Sequence, residues 1–148
     1  MSLKERLSDE MKDAMRSHDK TRLSTIRMLL SAVKNKEIDL KENLTDTEVI
    51  ETITSQVKQR KDSIEQFSKA GRQDLVEKEE AELKILQEFL PRQLTIDELD
   101  SEIDQAITES GASGLKDLGK VMKVLIPKVT GRSDGKLVSD KVRERLSK

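Results

Sequence analysis

The chain has 148 residues, with 28 basic and 29 acidic side chains, a formal net charge of −1, and no cysteine, tryptophan or tyrosine. That length allows one ordinary domain or two small ones, and without cysteine there is no disulfide framework, thiolate metal site or thiol nucleophile. Charged residues make up 39% of the chain against 1% aromatic, with two prolines and six glycines; this is the composition of long helices, and its charge balance argues against a uniformly basic nucleic-acid binder. No apolar run is long enough to span a bilayer, and the charged N-terminus lacks a signal-peptide core. The cysteine-free composition suits a reducing compartment, so the expected location is cytoplasmic.

Ser2 with Glu5 forms a capping box, and Leu3, Leu7, Met11 and Ala14 then recur at helical spacing, predicting a first helix to about Ser17. Asp19 caps a second helix with the stripe Leu23, Ile26, Leu30 and Val33, which the polar segment 36–43 is expected to break. Thr45 and Glu48 open a long third helix bearing Ile50, Ile53, Val57, Ile64 and Phe67, its face interrupted by Arg60 and Lys61 and its end set by Gly71. A fourth helix carries Leu75, Leu83, Leu86 and Leu90 and is stopped by Pro91.

Pro91 to Thr95 is the best domain boundary, giving an N-terminal module over 1–92 and a C-terminal module over 93–148. Thr95 and Glu98 start helix five, with Ile96, Leu99, Ile103 and Ile107. After the loop 110–114, Leu115, Leu118, Val121, Met122 and Leu125 define helix six, which Pro127 should end. Gly119 within it predicts a close helix crossing. Helix seven follows the turn 131–136, with Leu137, Val138, Val142 and Leu146 facing inward. No stretch alternates with period two, so the expectation is an all-α chain: four helices, then three.

Charge is segregated within the C-terminal module. Residues 95–109 hold six acidic and no basic side chains, whereas residues 110–148 hold ten basic and four acidic ones. Lys116, Lys120, Lys123 and Lys128 recur at three-, four- and five-residue intervals that set several of them on an exposed stripe, and Arg132 and Lys136 flank a turn shaped by Gly131, Asp134 and Gly135. Such a surface suits phosphate, while its lack of aromatic side chains disfavours base stacking. The alternative is a solvated face neutralised by helix five.

Other groupings carry less. The turn 131–136 lacks the spacing and the Ser or Thr of a phosphate-binding loop. His18 stands alone between helices as a polar connector. The acidic cluster Glu77, Glu79, Glu80 and Glu82 lacks a calcium-loop pattern and is expected on an exposed helical face. No catalytic residue, metal ligand or cofactor site is identified.

Three runs resemble bacterial YqeY proteins: Asp19 to Ile38 (DKTRLSTIRMLLSAVKNKEI), Ala70 to Leu75 (AGRQDL), and Glu79 to Leu94 (EEAELKILQEFLPRQL). The run Gly131 to Val138 (GRSDGKLV) is similar to the tail domain of GatB, a subunit of the glutamine-dependent aspartyl/glutamyl-tRNA amidotransferase. The resemblance implies an all-helical GatB/YqeY fold and a tail that holds tRNA. The label carbon–nitrogen ligase with glutamine as amide donor belongs to the complete multisubunit enzyme, and this chain has no room for its catalytic domain. The leading expectation is therefore a noncatalytic protein that binds tRNA or associates with a tRNA-processing complex through Lys120, Lys123, Lys128, Arg132 and Lys136. A helical adaptor docking onto a synthetase or amidotransferase is the rival, and an independent amidotransferase a third reading.

Overall fold

The computed structural model describes residues 1–148 and is all-α, with seven helices, one 3-10 turn and no strand. They are α1 (Leu3–Arg16), α2 (Lys20–Leu40), α3 (Asp46–Lys69), α4 (Gln73–Gln87), α5 (Ile96–Ser110), α6 (Leu118–Val129) and α7 (Gly135–Leu146), with the 3-10 turn at Leu115–Asp117. No helix is long and apolar enough to cross a membrane. The chain divides into two compact units, Met1–Leu90 and Pro91–Lys148.

Helix starts follow local chemistry. All three capping boxes form: Ser2 with Glu5, Thr45 with Glu48, and Thr95 with Glu98 each satisfy two amides that the first turn leaves free. The Asp19 carboxylate accepts from the Arg22 amide at 3.1 Å to cap α2. Gly71, at φ +70°, turns the chain out of α3 in the left-handed region.

In the first unit, Leu7 of α1, Ile26, Leu29 and Val33 of α2, Val49, Ile53 and Val57 of α3, and Leu86 of α4 bury together with Leu44 and Phe89. Polar side chains tie the helix ends. Arg22 donates to Glu88 at 2.6 Å and to Glu10 at 2.9 Å, while Arg6 and Arg22 both lie over the Phe89 ring. The two carboxylates hold the Arg22 guanidinium above its ordinary pKa, with the Glu88 hydrogen bond the larger cause.

The segment 36–43 does break the buried stripe of α2, leaving Ile38 and Leu40 exposed, but it does not end the helix, which continues to Leu40 and ends with Lys41 in the left-handed region. Glu37 sustains the extra turn: it pairs with Lys4 at 2.6 Å and accepts from the Leu44 amide at 2.9 Å. Those two bonds, the Lys4 one first, hold the Glu37 carboxyl below its ordinary range. The acidic cluster of α4 is not wholly exposed, against expectation. Glu82 is buried and Glu79 half-buried, and both grip Arg60 of α3, at 3.0 and 3.1 Å. Glu77 and Glu80 do face outward.

The second unit is built on Leu99, Ile103 and Ala106 of α5, Val121, Leu125 and Val129 of α6, and Val138, Val142 and Leu146 of α7. Pro127 does not end α6. It lies inside the last turn, and the helix continues to Val129, whose side chain is buried. Core burial just beyond the proline outweighs the single backbone hydrogen bond it removes. Leu137 is exposed rather than inward-facing. Gly119 marks no helix crossing, because a Cβ built there meets no atom within 4 Å.

Candidate functional site: the α6 face and the α6–α7 turn

The residues of interest sit on three pieces of the second unit. Lys120, Lys123 and Lys128 lie on α6, Gly131 and Arg132 on the turn after it, and Asp134, Gly135 and Lys136 at the start of α7. The fold does not gather them into one pocket.

The turn is held from within. Gly131 is buried at φ +75°, and its carbonyl accepts from the Gln93 amide group at 2.6 Å. Arg132 donates through Nε to the Arg92 carbonyl at 3.1 Å, and its own carbonyl accepts from the Leu94 amide at 2.8 Å. The motif Gly131–Arg132 thereby staples segment 92–94 against the end of α6. Asp134 caps α7, accepting from the Leu137 amide at 3.2 Å. Gly135 is a correction: its φ is not positive and a Cβ would meet nothing within 4 Å, so the turn does not require glycine there.

Three of the ten basic residues of 110–148 pair with α5. Lys128 pairs with Glu109 at 3.3 Å, Lys141 with Asp100 at 3.0 Å, and Arg145 with Asp100 and Asp104. Arg92 forks onto Glu98 at 2.6 and 2.9 Å, and this, with the Thr95 amide, pulls the Glu98 carboxyl down to about 2. Asp117 is also held below its usual range, first by the Ser113 amide. Of the residues that sequence spacing groups as basic, Lys128 pairs with Glu109 and Lys120 with Asp117 at 3.7 Å, while Lys123, Arg132 and Lys136 have no ion partner.

Some of these residues border a feature that the charge pattern conceals. At ~100° per residue, Gly119, Met122 and Ile126 fall within about 60° of each other on α6, and Leu115 continues the row one turn earlier. Leu115 is 52% and Ile126 47% exposed, and Met122 is half-buried. Lys116, Lys120 and Lys123 flank the row, all exposed. Of the three, only Lys120 has an ion partner, Asp117 at 3.7 Å. The helix contains no acidic residue. The signal for this apolar row was present in the spacing of Leu115, Met122 and Ile126, but a core assignment of α6 absorbs part of it.

Chemically the face offers apolar contact and positive charge. No group of three or more His, Asp or Glu side chains is placed to hold a metal ion. His18 is exposed in the link between α1 and α2, at φ +58°.

Residues 4–146 match the family model described as Yqey-like protein. Three relatives carry the name Altered inheritance of mitochondria protein 41, mitochondrial. That of Pyrenophora tritici-repentis is 37% identical over 143 residues, covering 94% of this chain and 78% of that protein. That of Lachancea thermotolerans is 42% identical over 107 residues, covering 70% and 57%. That of Saccharomyces cerevisiae is 37% identical over 131 residues, covering 88% and 69%. The chain thus spans little more than half of the Lachancea protein. These names correct the expectation of a bacterial, cytoplasmic protein associated with tRNA, a synthetase or an amidotransferase. The relatives are fungal proteins named for mitochondria and for mitochondrial inheritance, and none of the names refers to RNA or to amide transfer. Of Lys120, Lys123, Lys128, Arg132 and Lys136, the ion pairs with α5 engage Lys128 alone.

Proposed function

This chain belongs to the Yqey-like protein family, and from that premise we propose that it is a helical interaction protein engaging a protein partner through the α6 face of its second unit. The four helices of 1–90 and the three of 91–148 act in this reading as separate modules, one a scaffold and the other the docking element. The observation that carries it is the row of exposed Leu115 and Ile126 with half-buried Met122 between them, its outer side beside Lys116 and Lys123, which have no ion partner. Exposed apolar side chains scattered singly need no explanation, but a contiguous row rimmed by polar groups marks an interaction surface. The relatives' names supply the setting of the proposal, the mitochondrion and its inheritance.

The test is sedimentation of the tagged full-length chain in a mitochondrial extract of its source cells. The chain is expected to migrate in a complex larger than itself, and Ile126→Asp to release it without lowering its thermal midpoint. Migration as free chain, or a complex indifferent to Ile126→Asp, would overturn the reading.

A further inference from the structure

We infer that the occupant of the α6 face is an acidic amphipathic helix of about three turns, seated over Gly119; this rests on the interaction reading above. Three observations on α6 specify it. The first is length: the row from Leu115 to Ile126 extends roughly 16 Å at 1.5 Å per residue, the contact length of a helix of about eleven residues. Helix-in-groove recognition uses anchors at such i, i+3, i+4 and i+7 positions.

The second is charge. The row is flanked by Lys116, Lys120 and Lys123, and α6 itself has no acidic side chain to neutralise them. Lys116 and Lys123 have no ion partner, so an approaching carboxylate meets lysines free to pair. Within the second unit, Asp100, Asp104 and Glu109 of α5 are already engaged by that unit's own cations.

The third is Gly119. Its backbone does not need glycine, since φ is not positive, and its surroundings do not, since a Cβ there meets nothing within 4 Å. Alanine is the better helix former. A missing side chain in the middle of an exposed apolar row instead lets a facing helix approach the α6 backbone closely, with one of its side chains in the notch. A fluid lipid surface conforms to a helix and gains little from such a notch, which favours a partner of fixed shape.

The experiment places a photoreactive residue at the end of the row, Leu115→p-benzoylphenylalanine, in the full-length chain. After irradiation in mitochondrial extract, the adduct is sequenced, and the captured segment is synthesised and titrated against the unmodified chain by fluorescence anisotropy. The expected segment is net negative with apolar residues at helical spacing. Its affinity should fall about tenfold or more with Ile126→Asp or Gly119→Leu and weaken as salt rises from about 50 to 300 mM. Gly119→Ala and Gly119→Leu should melt no lower than the parent chain, separating docking from folding. A neutral or basic segment, equal affinity in Gly119→Leu, or an adduct on lipid or on a second copy overturns the inference. A protein adduct on a segment of the wrong chemistry removes this inference alone, whereas absence of any protein adduct removes the interaction reading as well.

Discussion

Replacing Arg60 with methionine tests how the first unit tolerates a charged side chain against its core. Arg60 Nη1 lies 3.0 Å from Glu82 and 3.1 Å from Glu79, and Glu82 is only 6% exposed. Without the guanidinium, two carboxyls share a poorly hydrated space with no cation. Breaking a buried pair by removing one partner typically costs about 3–5 kcal/mol. Glu82 has an escape, which is to fold protonated. At pH 7 that costs at most about 1.36 × (7 − 4.3), or ~3.7 kcal/mol, and at pH 5 only ~1 kcal/mol. Arg60→Met should therefore lose about 3–4 kcal/mol at pH 7 and markedly less at pH 5. The sign follows from linkage: in the variant the folded carboxyl has a raised pKa, so the penalty is absent below the unfolded value and grows as pH rises toward the folded one. With no tryptophan or tyrosine in the chain, urea unfolding is followed by far-UV circular dichroism, and amide exchange in α3 and α4 assigns the loss. The triple variant Arg60→Met/Glu79→Gln/Glu82→Leu should recover most of the stability, because an apolar replacement leaves no charge unpaired. A single variant that loses under about 1 kcal/mol at pH 7, or loses equally at both pH values, would refute the reasoning.

Two further predictions concern the second unit. Glu98, held at about 2 by Arg92 and the Thr95 cap, contributes stability present above its unfolded pKa of 4.5 and lost as pH falls through about 2; NMR titration of its carboxyl checks this, and Glu98→Gln should remove that acid-dependent part of the unit's melting. Titration near 4.5 would show that the pair is not maintained in solution. The two turn glycines should behave oppositely in thermal melts: Gly131→Ala, forced to φ +75°, should cost about 1–3 kcal/mol. Gly135→Ala should be neutral or stabilise by a few tenths to about 1 kcal/mol.

What could be read from the sequence was what neighbouring residues decide among themselves. A capping box is closed by groups three residues apart, so Ser2/Glu5, Thr45/Glu48 and Thr95/Glu98 announce α1, α3 and α5 without reference to the rest of the chain. The core stripes were legible for the same reason, through helical periodicity. Two features that local reading missed depend on partners far along the chain. Segment 36–43 looks polar enough to end α2, yet Glu37 reaches Lys4, 33 residues away, and that contact keeps the helix going. Glu82 looks like one member of an exposed acidic run, and only Arg60 on the facing helix makes its burial acceptable.

The same distinction governs the candidate site. Counting charge by segment treats every cation on α6 and α7 as available, but availability is decided by what α5 places opposite. Lys141 and Arg145 meet Asp100 and Asp104 across about forty residues, and Lys128 meets Glu109 across nineteen. Segregation of acids on one helix and bases on the next two is thus partly the means by which the three-helix unit selects its own packing. A cation opposite an acid in the fold reports on that packing. Lys116 and Lys123, which have no such partner beside an accessible apolar row, are the ones left to report on something outside the chain.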